Sequence, residues 1–297
     1  MKPVLALLIR LLWTTALLLA AFGAQAGAVL TTLYSLQAIS LYDGADPYAG
    51  LVQGKDGNLY GTTPVGGGVG YGTVFKISTS GAYTNLYSFT DANDGWLPLA
   101  QLVQGNDGYL YGTTAGGGTN NDGTVFKIST NGSLISLHSF VGTNDGLNPQ
   151  AGLVQGDGYF YGTAPGGGTN NSGTVFKITA NGALTSLHSF TGTNDGATPT
   201  AALVQGSDGY LYGMTVYGGK YGYGTVFKIS TTGALTNLHS FTGPGNNDPN
   251  PYGDGGLVQG SDGYLYGTKA HEGNFGTVFK ISTNGAYTSL YSFINTT

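Results

Sequence analysis

Cysteine is absent, arginine and glutamate occur once each, and charged residues make up only 8% of the 297 positions. Each shortage closes off a class of chemistry. Without cysteine there is no disulfide, no thiolate nucleophile and no Cys-ligated metal. The single arginine, Arg10, lies in the N-terminal stretch, and beyond residue 26 eight lysines face fifteen acids, a net charge of −7. Nucleic acid is therefore not an expected partner, because phosphate binding needs clustered cations and arginine reads guanine edges. Beyond residue 26 there is also no long apolar run, so no membrane span is expected in the mature chain.

The first 26 residues differ from the rest. Lys2 and Arg10 precede an apolar run from Leu11 to Ala21, followed by Ala24-Gln25-Ala26, a small-x-small site that signal peptidase accepts. The pattern predicts a signal peptide over 1–26 and an extracytoplasmic destination: secreted, periplasmic or at the cell surface. An uncleaved anchor is the alternative, since the apolar stretch from Val4 nearly reaches the length of a bilayer span. Arg10 interrupts that stretch. No linker divides what remains, so 27–297 is expected to be one domain.

What the chain has in abundance is glycine, 54 residues, with 21 Tyr and 13 Phe. The aromatics recur at fixed places, which distinguishes the chain from low-complexity sequence. Leu-Val-Gln-Gly begins at Leu51, Leu102, Leu153, Leu203 and Leu257, and each copy is followed by Gly-Thr-Val-Phe-Lys-Ile and Leu-Tyr/His-Ser-Phe. Such a period marks a unit that cannot bury its apolar face alone and stacks on its neighbours.

The second copy shows the unit. Gln101 to Gln104 is a short strand ended by Gly105-Asn106-Asp107-Gly108, a hairpin signal. Tyr109 to Thr114 is a second strand, and Ala115 to Asp122 is a glycine-rich connector. Gly123 to Ser129 is a third strand, alternating Val125 and Lys127 with Thr124, Phe126 and Ile128. Thr130-Asn131-Gly132 turns into a fourth, Leu134 to Phe140, and a connector with Asn144-Asp145-Gly146 and Pro149 follows. No stretch has helical periodicity. The predicted fold is all-β: a β-propeller of five four-stranded antiparallel blades from tandem repeats of about 50 residues. The blades fall at 51–89, 102–140, 153–190, 203–241 and 257–293. An extra strand at 29–36, carrying Leu33-Tyr34-Ser35-Leu36, is expected near the last blade, where it would help to join the ends. Strand direction puts both tight turns at one end of a blade and both long connectors at the other, and the loop-rich end is where function is expected.

Leu203-Val204-Gln205-Gly206, Asp208-Gly209-Tyr210-Leu211-Tyr212-Gly213 and Gly224-Thr225-Val226-Phe227-Lys228-Ile229 carry a family resemblance. With their counterparts over residues 29–293 they resemble the GloVer tandem repeats of bacterial choice-of-anchor proteins. The resemblance implies an exported, surface-associated propeller and no catalytic residues that map onto this chain. The Asp-Gly-x-Leu-Tyr segment also resembles that of NHL-type blades, which concerns fold only.

Candidate chemistry is sparse. The turn aspartates Asp56, Asp107, Asp157, Asp208 and Asp262 are read as hairpin formers. Asp94, Asp145 and Asp195, in oxygen-rich connectors, are weak calcium candidates without EF-hand spacing, and otherwise no metal or cofactor is expected. Lys76, Lys127, Lys177, Lys228 and Lys280 are expected to lie along apolar surface with solvated heads. His138, His188 and His239 are read as packing residues of the fourth strand. Gly61, Gly112, Gly162, Gly213 and Gly267 are expected to admit a close neighbour, such as the third-strand Phe. Residues that break the repeat mark the candidate ligand site at the loop-rich end: Tyr71, Trp96, Tyr217, Tyr221, Tyr223, His271 and Glu272. The expected function is a non-catalytic binding or interaction module of the cell envelope or exterior, with a glycan or an envelope protein as partner. Multivalent glycan binding is the first alternative, through aromatic stacking and repeated sites. A glycoside-processing enzyme is the second, and it would need two distinct facing carboxylates, which the sequence does not single out.

Overall fold

The computed structural model describes residues 30–36, 42–243, 255–271 and 274–293, with only the backbone at 270, 271, 274 and 275. The proposed signal peptide lies outside the described residues, as does Glu272. Contacts divide the chain into Met1–Leu33 and Tyr34–Thr297. Of the first unit only 30–33 are described, without helix or strand, and all strands lie in the second. Among the described residues no helix is long and apolar enough to cross a membrane.

Five four-stranded antiparallel sheets follow one another in chain order. The first blade is Val52–Gln53, Leu59–Thr63, Thr73–Ile77 and Tyr83–Ser88; the second is Val103–Gln104, Leu110–Thr114, Thr124–Ile128 and Leu134–Ser139. The third is Val154–Gly156, Tyr159–Ala164, Thr174–Thr179 and Leu184–Ser189, and the fourth is Val204–Gln205, Leu211–Thr215, Thr225–Ile229 and Leu235–Ser240. Val258–Gln259, Leu265–His271, Asn274–Ile281 and Tyr287–Ser292 form the fifth. The fold is that of a β-propeller.

Strand alternation gives each blade two apolar faces, and the core lies between blades. Tyr60, Val74 and Phe89 form the trailing face of the first blade and pack on Leu102, Leu110, Phe126 and Ile128, the leading face of the second. The same pairing joins the second to the third, the third to the fourth, and the fourth to the fifth blade. Edge-to-face rings stitch each interface: Phe89 on Phe126, Phe140 on Phe176, Phe190 on Phe227 and Phe241 on Phe279, with centroids 5.3–5.9 Å apart.

The second-strand glycine does what the sequence indicates. A Cβ at Gly112 would lie 2.6 Å from Phe126 Cζ and 2.7 Å from Leu102 Cδ2, and the other four glycines meet the equivalent Phe and Leu. One feature is invisible in the sequence. In every blade the pairing of third and fourth strands slips by one residue, as between Val74↔Tyr87 and Phe75↔Asn85. The bulged residue Leu86 thereby presses its carbonyl against the turn of the next blade, where only glycine fits at Gly132.

Residues 30–36, expected as a strand near the last blade, pair with no strand. Instead Tyr34 stacks on Tyr83 of the first blade, with centroids 4.4 Å apart, and donates to Asp43 Oδ2 at 2.8 Å. The last blade already owns Tyr287–Ser292 as its fourth strand, so ring stacking rather than ladder hydrogen bonding holds this segment.

Candidate functional site

Both long connectors lie at one end of the blades, where they hydrogen-bond to each other. Trp96, Leu147 and Ala197, in the links between blades, pair with Gly116, Gly166 and Tyr217 in the second-to-third-strand loops of the following blades. Gly44–Ala45 pairs likewise with Val65–Gly66. This is the loop-rich end that strand direction implies.

The connector aspartates are tied into that end from within. Asp94 Oδ2 accepts from Tyr87 Oη (2.8 Å) and from Thr90 N (2.9 Å). Asp145 pairs with His138 Nε2 at 2.8 Å and accepts from Val141 N, while Asp195 pairs with His188 Nε2 at 3.0 Å and accepts from Thr191 N. Burial opposes ionisation of Asp195, but hydrogen bonds from Thr191 and His188 outweigh it and hold its carboxyl below the usual range. Burial, reinforced by Asp94, pushes Tyr87 up to about 12. These carboxylates close their own loops, and among the described residues no three His, Cys, Asp or Glu side chains gather. His138 and His188 pack edge-on against Phe140 and Phe190, as expected of fourth-strand packing residues, and in addition each pairs with an aspartate seven residues on, which apolar spacing does not show.

Several repeat-breaking residues are tied into the connectors. Trp96 lies over Gly116 and donates from Nε1 to Asn121 Oδ1 at 3.2 Å, so its ring is engaged in the loop itself. Tyr71 is bridged to Gly66, and its carbonyl accepts from Leu97 N. Tyr217 and Tyr223 are exposed in the fourth-blade loop, Tyr217 opposite Ala197 and Tyr223 opposite Gly218. His271 pairs through its backbone with Asn274.

Tyr221 lines a cavity. Its volume is about 560 Å³, open to solvent, and it is walled by Asn194, Lys220, Tyr221, Asn237, His239 and Ser240, with Leu238 and Thr242. That size falls in the range of small-molecule sites. The fourth strand of the fourth blade supplies Asn237, His239 and Ser240, the loop above it supplies Lys220 and Tyr221, and the preceding link supplies Asn194. Lys220 Nζ lies 5.0 Å from the Tyr221 ring centroid, and its backbone N–H donates to Ser240 Oγ at 3.2 Å. Asn237 Nδ2 donates to Asn194 O (2.6 Å) and Ser240 Oγ (2.9 Å), while its buried Oδ1 has no partner. Sequence signals for this site did exist. Lys220 and Tyr221 stand where the second and third repeats carry Thr-Asn, and Asn237 stands where they carry serine.

A second cavity, about 210 Å³, collects one repeat position from four successive links, Tyr48, Leu99, Gln150 and Thr200, with neighbouring alanines. Among its described lining residues there is no carboxylate or imidazole.

Two overlapping matches to the family described as Gloeobacter/Verrucomicrobia repeat cover residues 21–205 and 137–297. The chain belongs to this family. No curated protein matches it. Among solved structures it is similar to the periplasmic gluconolactonase of Pseudomonas aeruginosa, with 17% identity, 92% of this chain and 77% of that chain covered, and a TM-score of 0.57. A gluconolactonase from Xanthomonas campestris gives 17% identity, 84% and 77% coverage and a TM-score of 0.49. A puromycin hydrolase gives 14% identity, 90% and 40% coverage and a TM-score of 0.52. At these identities the likeness carries the fold. It corrects the expectation of a non-catalytic binding or interaction module, because the same scaffold carries hydrolytic enzymes. The sequence singles out no carboxylate pair of the kind a glycosidase needs, and that requirement does not extend to hydrolysis run by other groups.

Proposed function

We propose that this repeat-family chain is a hydrolase that opens a lactone or related cyclic ester of a polyhydroxylated acid, in the cavity beside His239. The observation that carries this reading is the meeting of an imidazole, an ammonium group, a phenol, and amide and hydroxyl groups around one open cavity. Lactone opening asks for a base to take a proton from water and a positive centre for the charge that builds on the carbonyl oxygen. His239 is assigned the first role and Lys220 the second. Asn194, Tyr221, Asn237, Ser240 and Thr242 offer partners for ring hydroxyls. Water adds to the carbonyl carbon as its proton passes to the imidazole. The ring C–O bond then breaks, the imidazolium returns the proton to the departing alkoxide, and the new carboxylic acid ionises to solvent. The reaction class is suggested by the names of two of the structural neighbours, gluconolactonase and hydrolase.

Proton release from gluconolactone in a pH-stat checks the reading. The chain should exceed spontaneous hydrolysis, and His239→Gln should lower kcat by about 10²–10⁴. Equal rates with the wild type and H239Q, across a panel of sugar lactones and esters, would sink it. We also infer that residues 1–26 are removed on export, on the support of the charged, apolar and Ala-Gln-Ala order. N-terminal sequencing of exported protein should begin at Gly27, and a retained Met1 would refute the cleavage.

A further inference from the structure

His239 differs from its counterparts in how its ring is held. His138 and His188 meet the following phenylalanine edge-on and pair through Nε2 with Asp145 and Asp195. His239 meets Phe241 in the same edge contact, with centroids 5.2 Å apart. In addition it lies flat on Tyr287 of the fifth blade, 4.2 Å away with the two planes 6° apart. A stack grips an imidazole by its face rather than by a nitrogen, and it sets the torsion that side-chain rotamers leave broad. The imidazole in the cavity wall is thus oriented by the neighbouring blade.

Two departures from the repeat build this arrangement. Tyr287 stands where the second, third and fourth blades carry Leu134, Leu184 and Leu235, and Lys269 stands where the first, second and fourth carry Thr63, Thr114 and Thr215. Lys269 is only 3% exposed. Its Nζ lies 4.6 Å from the ring centroid of Phe241, 4.9 Å from that of Tyr287 and 5.8 Å from that of Phe279. Taking an ammonium group out of water is costly, and attraction to three ring faces offsets part of that cost. Two of those rings, Phe241 and Tyr287, are the ones that touch His239. The buried charge therefore bears on the packing around the imidazole. The first blade shows that a tyrosine at this position can hold a ring: Tyr83 stacks on Tyr34, the repeat counterpart of His239, at 4.4 Å and 6°.

We propose that Tyr287, braced by Lys269, is a positioning residue that fixes the plane of the His239 imidazole in the cavity wall. What it implies for turnover rests on His239 being the base, as proposed above; what it implies for ring geometry does not.

NMR of histidine-labelled protein keeps the two apart. Ring currents of Tyr287 should move the His239 ring protons upfield of those of His138 and His188, with H239Q giving the assignment. Tyr287→Leu installs the residue that three other blades carry and should abolish the upfield displacement, whereas Tyr287→Phe keeps the ring and should keep it. Lys269→Met retains bulk without charge and should diminish it, and Lys269→Arg should preserve it. With gluconolactone, Y287L should lower kcat by about 10² at unchanged KM, and Y287F should restore it. A wild type that opens no lactone would sink the proposed function, and the NMR comparison would then decide the positioning by itself. His239 protons that are not displaced in the wild type, or a Y287L that keeps the displacement or full kcat, would overturn the proposal. A displacement unchanged in K269M would remove Lys269 from it. A cooperative melt in each variant excludes unfolding as the cause.

Discussion

At the scale of single residues, the aspartates of four Asp-Gly turns are more than turn formers. Asp107 Oδ1 accepts from Tyr109 N, as a hairpin residue does, while its Oδ2 accepts from the hydroxyl of buried Tyr111 at 2.7 Å. Asp56, Asp208 and Asp262 hold Tyr60, Tyr212 and Tyr266 in the same way. Burial, with the aspartate beside it, raises Tyr60, Tyr111 and Tyr212 well above their ordinary value. Asp107→Ala leaves a buried hydroxyl unsatisfied, so urea melts should show a loss of about 1–3 kcal/mol. Asp157→Ala, in the shortened third-blade turn, should cost less. Because the folded tyrosines lose their protons later than unfolded ones, their stabilisation is intact below pH 10. For Tyr87 it fades as pH rises from 10 to about 12. Alkaline unfolding followed by near-UV absorbance should therefore coincide with tyrosinate formation, and a transition unrelated to it would contradict the assignment. Asp56 behaves oppositely: the hydrogen bond from Asn58, chiefly, lowers its carboxyl, so its contribution is present at neutral pH and is lost on acidification below the carboxylate range. The turn role was legible from Asp-Gly alone; the tyrosine bond was not, because it depends on the strand folding back over the turn.

At the scale of an element, the second strand is set by one close approach. Gly112→Ala would place a methyl within 2.6 Å of Phe126 Cζ, in a ring contact that is itself held by the neighbouring blade. The overpacking should cost about 1–3 kcal/mol in chemical denaturation, and Phe126→Leu in the same chain should restore part of it. A neutral Gly112→Ala would mean that the ring moves aside freely. The third strand was readable in full, since Val125 and Lys127 share one face and Phe126 and Ile128 the other, and the structure buries Val125 against the third blade and Phe126 against the first. The fourth strand was only half readable. Its place follows from apolar spacing, but the one-residue slip arises from contact with the next blade, which no local pattern encodes. The lysines are a similar case. Their stems over tyrosine follow from strand alternation, whereas the carbonyls they reach lie more than fifty residues on.

At the scale of the whole molecule, stability is a sum over repeats and the interfaces between neighbours. Phe140→Ala empties a sealed core and should cost about 3–5 kcal/mol, whereas Phe293→Ala, at the same repeat position, should cost well under half of that. Denaturant midpoints compared at low protein concentration, where any contact between copies is absent, provide the check. Equal costs would mean that the last face is as covered as the others.

The sequence by itself determined the four strands of each blade, their order, the faces they bury and the end of the blades that carries the long loops, because period and alternation are local and repeated five times. It also marked Tyr221 as a departure from the repeat, without saying which residues it would meet. Only the tertiary structure decided which departures meet. Trp96 and Tyr71 are spent on their own loops, and a cavity forms where Lys220, Tyr221, Asn237 and His239 come from segments brought side by side. It alone left Phe293 of the last blade exposed where Phe89, Phe140, Phe190 and Phe241 are buried, because whether a repeat's face is buried depends on its neighbour and not on its own residues.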